Sequence, residues 1–216
     1  MVRWGFARLY TECAGVYDLV ARLVSRGLWY RWTLAALPFL HGRVLELGCG
    51  TGVVQCALAQ AGRVAVGLDT SPNMLALARR RARTSGVDLH LLRGCGQALP
   101  VATGSCDTIL ATFPAEYILE TATAAEIARV LAPNGRFVLV DAAQLATNDL
   151  QTRLIDLAYR IVFGAAIHTT PPTQLRLPNL EAQGFTFAYE RVTIGPSSVL
   201  VLVGTPGKEP ADAANR

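Results

Sequence analysis

Two hydrophobic rhythms divide this chain. Residues 12–31 place apolar groups at helical spacing, through Cys13, Val16, Tyr17, Val20, Leu23, Val24 and Leu28. Beyond residue 42 short apolar runs alternate with helical stretches. GRVLELG reads as a buried strand, and GVVQCALAQAG as a helix ending at Gly62. RVAVGLD is a second strand. SPNMLALARRRARTSG is a helix with Ser71 as N-cap, Pro72 at its first position and Gly86 past its end. VDLHLLRG and SCDTILAT are the third and fourth strands, TATAAEIARVLAPNG a helix with its turn, and RFVLVDA the fifth strand. A helix is predicted over 149–163. GFTFAYERV and SSVLVLVG then close the chain as two strands joined at TIGP.

Strands alternating with helices predict a parallel sheet covered on both faces. The last link, Thr193 to Ser197, is long enough only for a hairpin, so the final strand must run antiparallel to its neighbour. The expected fold is α/β: a doubly wound sheet of seven strands, mostly parallel, ending in an antiparallel hairpin. Residues 1–42 form an N-terminal helical cover, 43–206 the core, and 207–216 a flexible tail.

Charge changes this picture in one place. The chain carries a formal net charge of +4. Residues 1–43 supply it, with six arginines (Arg3, Arg8, Arg22, Arg26, Arg31, Arg43) against Glu12 and Asp18. Together with Trp4, Phe6, Trp29, Tyr30 and Trp32, this segment suits either a solvated helix face or weak association with an anionic membrane surface. The RRRAR run at 79–83 reads as a solvated helix end. With no basic stripe in the core, nucleic acid is not an expected partner. Five cysteines form no CxxC pair and have no histidine at ligand spacing, which predicts a reduced, cytoplasmic protein without a metal site. No segment has the length of a membrane span, no signal peptide is legible, and no obligate protein partner is expected.

The chemistry starts at VLELGCGTG, residues 44–52. A glycine turn at the carboxyl end of the first strand lets a ligand approach the backbone closely. A dinucleotide would prefer G-x-G-x-x-G, but the third glycine of that fingerprint falls on Val53. Glu46, inside the strand, is a poor neighbour for pyrophosphate and a reasonable one for a sulfonium and an ammonium. Asp69, at the end of the second strand, can accept both hydroxyls of a ribose.

VLELGCGTG, GLDTSPNMLALAR, GQALP, SCDTILAT and EIARVLAPNGRFVLVD together resemble the ordered motifs of the class I S-adenosylmethionine-dependent methyltransferases, over residues 40–142. YTECAGVYDLVARLVSRGLWYRW also resembles the opening helix of the quinone-biosynthesis (UbiE-like) type. The resemblance implies a Rossmann-like fold and S-adenosylmethionine as cofactor. It implies that the backbone around Gly48, Cys49 and Gly50 holds the methionine end, with Gly52 in the same cofactor-binding turn and Glu46 ordering it. It assigns Asp69 to the ribose, Thr70 and Met74 to the adenosine, Tyr17 to a closing lid, and Thr112 to the point where the methyl group emerges. Met74 and Tyr17 can equally be core packing. Relatives commonly have an acid at Cys95 that accepts from the adenine amino group. A thiol is a weak acceptor, so Gln97 and the backbone at Gly96 are the substitutes.

The implied acceptor is a small apolar or amphipathic molecule, quinone-like or lipid-like, met in the cytoplasm or at the inner membrane face. Candidate general bases are His168, in a Pro-rich loop, and Glu116 and Tyr117, which follow the fourth strand; solvation and packing are their plain alternatives. His41 and His90 read as structural. Competing functions are an NAD(P)-dependent oxidoreductase, opposed by Val53 and Glu46, and a non-catalytic binding module, which Cys95 would favour.

Overall fold

The computed structural model describes residues 27–145 and 176–207. Tyr17, His168, the helix predicted over 149–163 and most of the N-terminal cover lie outside them. The described chain runs α1 (Trp29–Leu34), a 3-10 turn (Leu37–Phe39), β1 (Val44–Leu47), α2 (Val53–Gln60), β2 (Ala65–Asp69) and α3 (Pro72–Ser85). β3 (His90–Arg93), β4 (Cys106–Thr112), a second 3-10 turn (Glu116–Leu119), α4 (Thr121–Val130) and β5 (Leu131–Leu145) follow. α5 (Pro178–Ala182), β6 (Phe185–Ile194) and β7 (Ser197–Pro206) end it.

The strands form one seven-stranded sheet in the order β3-β2-β1-β4-β5-β7-β6. β1 to β5 pair in parallel, and β7 runs antiparallel to both β5 and β6. The hairpin turns on Gly195, at φ +56°, and Pro196. β7 enters the sheet between β5 and β6, a placement that the length of the hairpin leaves open. The reason is hydrophobicity. VLVLV is apolar on both faces and fits an interior strand, whereas the polar positions of FTFAYERV suit an edge.

Alternation assigns the two faces. Leu45, Leu47, Ile109, Ala111, Phe137, Leu139, Leu200 and Leu202 pack on one side with Ala124 and Ile127 of α4 and Leu180 of α5. Val44, Leu110, Val138, Val140, Val199 and Val201 pack on the other with Trp32 of α1 and Val54 and Leu58 of α2.

At its N-terminal end the structure corrects the sequence reading. The helical spacing expected through residue 31 is interrupted at Gly27, whose φ is +79°, and α1 starts only at Trp29. Glycine is the residue that takes such a turn without strain. α3 matches its expected signals: the Met74 amide donates to the Ser71 side chain at 3.3 Å, and Gly86 ends the helix at φ +66°.

Candidate active site

The crossovers reverse direction between β1 and β4, which opens a crevice at the carboxyl ends of these strands. Gly48, Gly50 and Gly52 stand there at φ +68°, +51° and +74°. Three contacts hold the turn they make. The Cys49 amide donates to the Leu68 carbonyl at 2.9 Å, the Gly52 amide to the Cys49 carbonyl at 2.9 Å, and the Gly50 amide to Asp69 Oδ2 at 2.9 Å. Asp69 Oδ1 accepts the Ser71 amide at 2.8 Å. Each oxygen of Asp69 thus has a backbone partner, and a carboxylate, with about four acceptor positions in all, keeps capacity to spare. Burial pushes the carboxyl upward, while the amides of Ser71, Gly50 and Thr70 hold it down.

The three glycines differ in what requires them. A methyl on Gly50 would meet nothing within 4 Å, so this residue faces open space. A methyl on Gly52 would meet Ala78 Cβ at 2.8 Å, so its bareness lets α3 press against the turn. A methyl on Gly48 would lie 3.0 Å from the Tyr117 hydroxyl. Cys49 turns inward, and burial keeps its thiol protonated. It therefore offers the crevice only its backbone.

Glu46 is 2% exposed. Its Oε2 accepts from Gln55 Nε2 of α2 at 2.9 Å. Burial pushes this carboxyl up to about 8; Gln55 opposes the rise and the Asp69 charge adds to it. A positive ligand beside it would reverse that balance.

On the opposite wall, Cys95 and Ala98 close a small antiparallel bridge. The Leu99 amide donates to Glu126 Oε2, and Arg129 binds Glu126 together with the carbonyls of Leu99 and Val101. The segment bearing Cys95, Gly96 and Gln97 is thereby pinned to α4. Gln97 Nε2 donates to Glu120 Oε2 at 2.8 Å, which leaves its amide oxygen as the acceptor on that side chain. Thr70 is exposed, and its carbonyl accepts from Arg93. Met74 is 1% exposed and buried as a core residue.

Tyr117 spans the crevice. A methyl on Gly96 would touch its ring at 3.0 Å, so the ring lies between Gly96 and Gly48. Glu116, one residue earlier, is exposed. Thr112 ends β4 half-buried, and Phe113 follows at φ +45°, the one non-glycine residue at positive φ among the described residues. Its ring lies 4.7 Å from that of Trp29 and 6.4 Å from that of Trp32. A non-glycine residue held at positive φ at the carboxyl end of β4 marks a candidate functional position. Among the described residues no group of three or more His, Cys, Asp and Glu is placed to hold a metal ion. No helix among them is long and apolar enough to cross a membrane. His41 lies beside β4 at the end remote from the crevice, where its amide donates to the Thr108 hydroxyl at 3.0 Å and its carbonyl accepts from that hydroxyl at 2.7 Å.

Two residues escaped the sequence reading. Phe113 gave no signal, since nothing in TFPAEY announces a left-handed residue. Arg81 gave one that went unused. It stands three positions after Ala78, on the buried stripe of α3, whereas Arg79, Arg80 and Arg83 are exposed. The solvated reading of the run holds for those three and fails for Arg81. Its Nε donates to the Thr51 carbonyl at 2.8 Å.

A doubly wound sheet with an inserted antiparallel β7, a glycine turn after β1 and an acid after β2 defines the class of S-adenosylmethionine-dependent methyltransferases. Comparison with known proteins agrees. Residues 44–135 match the family model described as a methyltransferase domain. The chain is 30% identical to a demethylmenaquinone methyltransferase of Thermus thermophilus, over 89% of this chain and 98% of that one. It is 36% identical to a ubiquinone/menaquinone biosynthesis C-methyltransferase UbiE of Syntrophotalea carbinolica, over 66% of this chain and 62% of that one. The solved geranyl diphosphate methyltransferase in complex with S-adenosylmethionine shares the fold at a TM-score of 0.61 and 16% identity, over 86% of this chain and 89% of that one. The chain belongs to the class I S-adenosylmethionine-dependent methyltransferases, in their UbiE-like branch.

Proposed function

We propose that this methyltransferase methylates a quinol-like ring, a step of the kind named for its relatives in quinone biosynthesis. The observation that carries the reading is the aromatic surface of Phe113 and Trp29 at the end of β4, a face on which a flat apolar ring can lie.

The residues of the crevice fit the cofactor. Gly50 leaves open space where a ligand would approach the backbone. The spare acceptor capacity of Asp69 suits the ribose hydroxyls, and Glu46 suits a cationic methionine end. Gly48, Cys49 and Gly50 offer backbone to that end. Gly96 and the Gln97 oxygen are the groups proposed to meet adenine, since Cys95 takes the place of the family's usual acid. When bound, S-adenosylmethionine supplies a methyl group already activated by its sulfonium charge. The protein's part is then alignment and exclusion of water. Tyr117, between Gly48 and Gly96, is better placed than exposed Glu116 to border the reacting groups. An acceptor arriving as its anion needs no base. In this reading residues 1–42 cover a core of 43–206, and their arginines would help draw a lipid-tailed acceptor from an anionic surface.

The test is release of S-adenosylhomocysteine with quinols, phenols, thiols, amines and phospholipids as acceptors. Turnover is expected with quinols, and Asp69→Asn should remain folded and lose it. Turnover confined to thiols, amines or phospholipids would replace the quinol reading.

A further inference from the structure

Arg81 lies where three parts of the molecule meet. It projects from the buried face of α3, and helical side chains lean toward the helix N-terminus. That direction brings the guanidinium to the glycine turn. Nε donates to the Thr51 carbonyl at 2.8 Å, and Nη2 to Thr51 Oγ1 at 3.2 Å. Thr51 is buried between Gly50 and Gly52, both left-handed. Nη2 also lies 3.1 Å from the Tyr30 hydroxyl, and the guanidinium carbon stands 4.9 Å from the centre of the Tyr30 ring. Tyr30 belongs to α1.

The backbone of the turn has wide intrinsic freedom on either side of Thr51. Two left-handed glycines flank Thr51, and glycine has the widest conformational freedom of any residue. Asp69 fixes the turn at the Gly50 amide, and at Gly52 the Cys49 carbonyl accepts the amide while Ala78 limits the space. Thr51 stands between these two points, and Arg81 grips it by backbone and side chain together. A planar fork can do this, whereas a lysine ammonium offers a point charge without the fixed pair of directions.

We propose that Arg81 is a positioning residue: it holds the glycine turn in the shape that receives S-adenosylmethionine, and through Tyr30 it keeps α1 in register with that turn. A ligand that meets a pre-shaped loop loses less freedom on binding. This rests on the assignment of the glycine turn to the cofactor and is independent of the acceptor, so it is tested by binding rather than turnover.

The test is calorimetric binding of S-adenosylhomocysteine with amide exchange on the free protein, in wild type, Arg81→Met, Arg81→Lys and Tyr30→Phe. Arg81→Met is expected to raise the dissociation constant by about tenfold or more, the scale of a lost charged hydrogen bond. It should speed exchange at the Gly50 and Gly52 amides and across α1. Arg81→Lys should recover part of the affinity. Tyr30→Phe should speed exchange in α1 alone and change the dissociation constant less than about threefold. A folded Arg81→Met protein with a lower unliganded melting point but wild-type affinity would make the residue merely structural and overturn the proposal. So would Tyr30→Phe reproducing the whole loss. If Arg81→Met does not fold, wild-type affinity in Arg81→Lys overturns it equally.

Discussion

A glutamate inside a buried parallel strand is an expensive residue, and Glu46 shows how the cost is managed. It accepts a hydrogen bond from the neutral Gln55 amide, and the Asp69 charge lies close enough to raise it further. Burial raises the carboxyl from 4.5 to about 8. A group that binds its proton more tightly when folded gives its full stabilisation below the unfolded pKa and loses it as pH rises through the folded one. Glu46→Gln removes that titration with little change of shape. Relative to the variant, the unliganded wild type should lose stability from pH 5 to pH 9, by on the order of a few kcal/mol. Urea midpoints at several pH values measure the difference. Asp69, also raised by burial, titrates in both proteins, and because its charge is the smallest of the causes acting on Glu46 its own contribution largely cancels in the comparison. A difference that does not change with pH would mean that Glu46 is ionised throughout. Saturation with S-adenosylhomocysteine, whose ammonium is positive, should shrink the pH dependence.

At the scale of elements, the parallel strands were legible because their apolar runs and the glycines after them are local signals. The strand-end acid and the cap at Ser71 were legible for the same reason. What escaped depends on contacts between distant segments. The insertion of β7 is decided by which hairpin strand is apolar on both faces. The place of Arg81 on the buried stripe of α3 is a local signal, but what it grips, Thr51 and Tyr30, is decided by contacts between distant segments. α1 is a third case. Six residues cannot hold a helix in isolation. Packing holds this one: Trp32 is 6% exposed, and its indole Nε1 donates to Ser197 Oγ at 2.9 Å, tying α1 to the β6–β7 turn. Ser197 Oγ in turn donates to the Ile194 carbonyl at 2.7 Å. Trp32→Phe should destabilise the protein by about 1–3 kcal/mol, through lost volume and an acceptor left without its donor. Ser197→Ala in the same background should add less than it does alone, because the pair is already broken. Full additivity in denaturant unfolding would show that the bond contributes nothing.

At the scale of the whole molecule, the crevice gathers residues from β1, β2, the segment after β3 and the end of β4. A cofactor bound there joins parts of the sheet that are far apart in sequence, and it binds the native state rather than the unfolded chain. Ligand at about a hundred times its dissociation constant then adds about 2.7 kcal/mol to folding. For a chain of this size each kcal/mol moves the thermal midpoint by about 2–4 °C, so S-adenosylhomocysteine should raise it by about 5–11 °C. NAD and NADP should leave it unmoved. Val53 stands where their turn would need a third glycine, and Glu46 sets a carboxylate near their pyrophosphate. The same scan separates two kinds of failure in variants. Gly50→Ala places a methyl in the open space of the crevice and strains a residue at φ +51°. It should lower the unliganded midpoint modestly and also abolish the ligand-induced rise. A variant far from the crevice that lowers the midpoint equally should keep the whole rise. If Gly50→Ala also kept it, the open space at that glycine would not be where the cofactor lies.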